Sequence, residues 1–108
     1  MIAVAIGLAA PAAATPADWV AANRAQILAD YVELLAIPNV ASDTANIRRN
    51  ADRLVEMMRA RGLAPRLLEG ADPSVPPAVY GEWKVPGARR TLVLYAHYDG
   101  QPVTPEDW

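Results

Sequence analysis

Leu92-Val93-Leu94-Tyr95-Ala96-His97-Tyr98-Asp99-Gly100-Gln101-Pro102-Val103 runs apolar through its first five residues, then closes on the chain's single histidine, an aspartate two places on, and a Gly and Pro. An apolar run bounded by turn residues is the pattern of a strand covered on both faces, as in the centre of an α/β sheet. Ligands in such sheets gather just beyond the carboxyl ends of the strands, where His97 and Asp99 fall. Side chains two apart on a strand share a face, so the spacing predicts His97 and Asp99 on one side and Tyr98 on the other. A metal-bound imidazole is commonly oriented by a carboxylate or carbonyl on its second nitrogen, and His-x-Asp can supply ligand and orienting group together. The same pair also reads as a half-buried histidine satisfied by a neighbouring acid. One His and one Asp do not hold a catalytic zinc, which takes three or four protein ligands.

Upstream of this run the chain reads as two more strands and two helices. Ala78 to Val85 alternates, with Val79, Gly81, Trp83 and Val85 on one face and Tyr80, Glu82 and Lys84 on the other, which predicts an antiparallel strand with one wetter face. Pro65 to Glu69 is short and begins with Pro, suiting an edge strand. Gly70 to Pro77 is a loop by composition. Before it, Ile47, Ala51, Leu54, Val55 and Met58 recur at helical spacing, with arginines and acids on the remaining faces. Ser42, Asp43 or Thr44 can cap this helix, and Gly62 supplies the left-handed residue that closes it. An earlier helix starts at Thr15-Pro16-Ala17-Asp18 and ends at Ile37-Pro38. Its apolar stripe of Val20, Ile27, Leu28, Tyr31, Leu34 and Leu35 is expected to be core.

The chain has 108 residues, a net charge of −2 and no cysteine. That length allows one domain at most. Cysteine metal sites and disulfides are excluded, and the arginines alternate with acids rather than forming a patch for nucleic acid. Met1 to Ala14 is apolar and uncharged, too short for the roughly 20 apolar residues that span a bilayer. It fits the apolar core of a secretory signal, with Ala12-Ala13-Ala14 as the cleavage box. No basic residue precedes Arg24, so the positive leading segment is missing, and a disordered Ala/Pro-rich leader is the other reading.

Leu94 to Val103, followed by Pro105-Glu106-Asp107-Trp108, closely resembles the first metal motif of the M20 family of zinc metallopeptidases, in the form found in its dipeptidase branch. The order of helices and strands upstream agrees in pattern. The resemblance implies an α/β fold: an α-α-β-β-β opening portion of a mixed-sheet di-zinc exopeptidase catalytic domain, with the helices on one sheet face. Residues 1–16 are then a signal peptide and residues 17–108 the first, truncated part of the catalytic domain.

By the same resemblance, His97 binds one of two zinc ions and Asp99 is the catalytic carboxylate that orients it. The parent protein then hydrolyses dipeptides or small peptides. The signal-like leader implies export to the periplasm or secretion, with no membrane partner after cleavage, and the charge pattern implies no nucleic-acid partner; the resemblance adds a homodimer through a separate lid domain. The bridging Asp, the Glu-Glu pair and the other ligands of the family have no match here. Asp107 follows His97 too closely to be the bridging Asp, and Glu106 is not followed by a second Glu. The fragment itself is therefore expected to be inactive. Two alternatives are an M28-type di-zinc aminopeptidase, which also uses a His-x-Asp strand end, and a non-enzymatic exported α/β module.

Overall fold

Thr15 starts the first helix by a reciprocal cap. Its hydroxyl accepts from the Asp18 backbone N–H at 3.2 Å, while the Asp18 carboxylate accepts from the Thr15 N–H at 3.0 Å. Pro16 takes the first helical position, where its missing N–H costs nothing. The helix, α1, runs Pro16–Leu35. The computed structural model describes residues 15–104 and 106. The leader from Met1 to Ala14 lies outside the described residues, as do Pro105, Asp107 and Trp108.

The second helix, α2, runs Thr44–Ala60, and of the three candidate caps it uses Asp43, whose carboxylate accepts from the Asn46 backbone at 3.1 Å. Gly62 closes it at φ 79°. The Leu63 N–H reaches back to the Met58 carbonyl and the Gly62 N–H to the Arg59 carbonyl, at 3.1 and 3.0 Å, which satisfies carbonyls the helix end would leave open.

β1 (Ala64–Leu68) and β2 (Ala78–Glu82) pair antiparallel, with Arg66 opposite Tyr80 and Leu68 opposite Ala78. Pro65 and Leu67 on β1 and Val79 and Gly81 on β2 are the less exposed residues, as alternation predicts. α2 packs on this hairpin. The small core lies on α2, at Ile47 and Ala51, with the polar Asn50 buried beside them. On the outer face the Arg66 guanidinium sits 5.0 Å from the centre of the Tyr80 ring. β2 ends at Glu82, earlier than the expected Val85, and leaves Trp83 and Val85 exposed.

The molecule is thus a small α/β arrangement of order α-α-β-β, which matches the expected opening of a larger domain except for its third strand. Residues 91–99 form no ladder, and Leu92 to Tyr95 are 81% to 86% exposed. Its backbone pairs with the fold at one parallel bridge just beyond, between Gly100 and Val40. The physical reason is a lack of layers. A strand apolar on both faces needs a sheet neighbour and cover above and below, and the described residues provide one helix layer, already packed on the hairpin.

The expectation that both helices cover one sheet face also needs correction. α2 does so. α1 has no buried residue, and Val20, Leu28, Tyr31 and Leu35 remain at least half exposed. It is tied to α2 by two ion pairs, Arg53–Glu33 at 2.7 Å and Arg61–Asp30 at 2.9 Å. Ile27 and Leu34 alone among its stripe are half-buried.

Candidate metal-binding site

The chain around His97 is held at two points. The Tyr98 hydroxyl donates to the carbonyl of Pro77, a buried residue at the end of the β1–β2 loop. The Gly100 N–H donates to the Asn39 carbonyl at 2.8 Å, in the loop between the helices. Gly100 fits only because it lacks a side chain: a Cβ there would lie 2.5 Å from Asn39 Oδ1. The i, i+2 arithmetic therefore operates although no strand forms. Tyr98 turns to the packed side, and burial, reinforced by the Asp99 carboxylate, raises its phenol above the ordinary tyrosine range.

His97 and Asp99 lie together. His97 Nδ1 is 3.1 Å from Asp99 Oδ1, and the imidazole is largely open to solvent. A carboxylate only accepts, so this contact calls for a proton on Nδ1 and, in the neutral ring, makes Nε2 the acceptor. Tyr95, two residues upstream, joins the same side. Its hydroxyl is 3.3 Å from His97 Nε2, and the two rings meet edge to face with centroids 5.5 Å apart. With Nδ1 protonated, Tyr95 is the donor to Nε2. Reading the sequence did not single out Tyr95, although its parity with His97 and Asp99 was the available signal.

These residues fit a metal only in part. An imidazole with its second nitrogen on a carboxylate has half of the disposition of a zinc ligand, while Tyr95 occupies its other nitrogen. Among the described residues, however, no group of three His, Cys, Asp or Glu side chains could hold an ion, and a zinc site needs three or four such ligands. Among the described residues the arrangement is one imidazole with a carboxylate on its second nitrogen, fewer groups than a zinc site takes. Two shallow depressions, one bordered by Leu63, Glu82 and Trp83 and the other by Trp19, Ile27 and Arg61, lie away from His97. Asp107, set aside as too close for a bridging role, is outside the described residues.

No family model matches the chain, and no solved structure matches it. It is similar to the Cys-Gly metallodipeptidase DUG1 of Candida albicans, at 29% identity over 86 residues that cover 68% of this chain and 18% of the relative. The chain thus spans less than a fifth of the length of the curated relative it matches. The likeness is weak and partial, and it points to a peptidase.

Proposed function

We propose that this chain is the opening part of the catalytic domain of an exported M20-type zinc peptidase acting on dipeptides or small peptides. In this reading His97 is one zinc ligand and Asp99 the carboxylate that orients it. The 3.1 Å contact between His97 Nδ1 and Asp99 Oδ1 carries the reading, because a carboxylate on Nδ1 favours the tautomer whose Nε2 can bind a metal. The partial likeness to a metallodipeptidase supports it independently.

In a complete site of this kind the metal pair polarises the scissile carbonyl and acidifies a bound water. This chain's own contribution is narrower. Asp99 holds the ring proton on Nδ1 and fixes the plane of the imidazole. Tyr95, seated on Nε2, must give way before that nitrogen can bind a metal. The remaining ligands and a carboxylate base have to come from elsewhere in the parent protein.

The test compares the 108-residue chain with the product obtained by reading the coding DNA onward from Trp108. The longer product is expected to hydrolyse dipeptides with zinc and to lose that activity in His97→Ala, while the 108-residue chain stays silent. Unchanged hydrolysis by the His97→Ala variant of the longer product would remove His97 from the site. Tight stoichiometric zinc binding with activity in the short chain would refute the partial-site reading.

A further inference from the structure

We propose that Asn50, on the buried face of α2, is a positioning residue for the His97–Asp99 pair, acting through the loop between the helices. The proposal rests on the reading of that pair given above. Asn50 is 2% exposed and is the buried polar residue among the described residues. It stands on the apolar face of α2, between Ile47 and Ala51, where an aliphatic residue would serve packing better. Its side-chain amide donates to the Pro38 carbonyl at 2.7 Å and to the Asn46 carbonyl at 3.0 Å. The first of these bonds leaves the helix and crosses to the loop.

The next residue in that loop is Asn39, and it holds the end of the histidine segment in two ways. Its carbonyl accepts the Gly100 N–H at 2.8 Å, and its side chain lies against Gly100 so closely that a methyl group would collide with Oδ1, Cγ and Nδ2. Val40 completes the contact by a parallel bridge to Gly100. The path is therefore continuous: Asn50 to Pro38, Asn39 to Gly100, and Gly100 to its covalent neighbour Asp99. Residues 91–97 make no ladder of their own, so the position of Asp99 under His97 depends on the two anchors that flank it, Tyr98 on Pro77 and Gly100 on Asn39. An unpaired amide at position 50 would cost about 1–3 kcal/mol of burial, and of its two donated bonds the one to Pro38 reaches the loop that holds Gly100.

The experiment reads the ¹⁵N signals of the His97 ring in the metal-free 108-residue chain, at a pH above which further base no longer moves them. In the parent sequence Nδ1 is expected to carry the proton and Nε2 the lone pair. Asn50→Leu and Gly100→Ala, which cut the path at its two ends, are expected to draw the two signals toward each other as the tautomers mix. The double variant Asn39→Ala/Gly100→Ala removes the colliding side chain and is expected to restore the parent pattern.

A residue that only stabilised α2 would lower the melting temperature without moving these signals. If Asn50→Leu fails to fold, Asn50→Ser, which also withdraws the amide from Pro38, takes its place, and unchanged ring signals in that folded variant would overturn the proposal. Unchanged ring signals in folded Gly100→Ala would overturn the proposal, as would their failure to recover in the double variant. Because no metal is present in the measurement, this result stands or falls separately from the peptidase reading.

Discussion

A Cβ placed on Gly81 of β2 would lie 2.9 Å from the Met58 sulfur and 3.3 Å from Leu63 Cδ2. The hairpin reaches α2 this closely because position 81 has no side chain. Met58 is a flexible thioether that can withdraw, so Gly81→Ala is expected to change stability by less than about 1 kcal/mol. Gly81→Val adds branched bulk that Leu63 also blocks, and overpacking of this kind costs about 1–3 kcal/mol. Urea unfolding of both variants checks the difference. Adding Met58→Ala should recover part of the Gly81→Val loss, as expected of residues in direct contact.

Acid should loosen the helices in a defined window. The Gln26 amide, then the Arg61 guanidinium, hold the Asp30 carboxyl below its ordinary value of 3.8. The Asn46 side chain and backbone do the same for Asp43. A carboxylate depressed in the folded state contributes stability that is complete above its unfolded pKa and is lost as pH falls through the folded one. Helicity is therefore expected to hold down to about pH 4, then decline below 3.8, as followed by circular dichroism. Asp30→Asn should remove one part of the α1 decline and leave the part that belongs to the Asp18 cap, whose carboxyl Thr15 also holds below its ordinary value.

Salt should act on α1 and spare α2. The first helix buries no residue and is tied across to α2 by Arg53–Glu33 and Arg61–Asp30. Ion pairs at the surface weaken as salt rises, whereas the packing of Ile47 and Ala51 is not electrostatic. Raising sodium chloride is expected to speed amide hydrogen exchange in α1 and to leave the centre of α2 unchanged. Equal acceleration in both helices would show that apolar contact, rather than the ion pairs, holds α1.

What was legible in the sequence is local. Thr15 with Asp18, Asp43 among the three cap candidates, and Gly62 at the helix end are signalled within four residues and act within four residues. The alternation that turns Val79 and Gly81 inward is equally short-range. The spacing that brings His97 and Asp99 together survives even without a strand. What stayed hidden depends on distant partners. The apolar character of Leu92 to Tyr95 states a need for neighbours and says nothing about whether the chain supplies them. The stripe on α1 likewise announces a core that α2 and a two-stranded hairpin are too small to provide. Asn39 and Asn50 gave one weak signal, a polar residue on the apolar face of α2, whose meaning required the loop that it bonds.

The exposed segment itself gives the last prediction. Leu92, Val93, Leu94 and Tyr95 stand 81% to 86% exposed with no ladder partner, and an unpaired apolar segment of this kind is a template for pairing with another chain. The 108-residue chain is therefore expected to self-associate as concentration rises. A charge in the middle of the run should suppress this, because a buried strand pair would have to desolvate it. Leu94→Lys is expected to reduce light scattering at matched concentration without changing helicity or the melting temperature, since Leu94 touches neither α2 nor the hairpin core. A marked fall in melting temperature would instead mean that the segment already packs on the fold in solution, and that its apolar face is partly satisfied within one molecule.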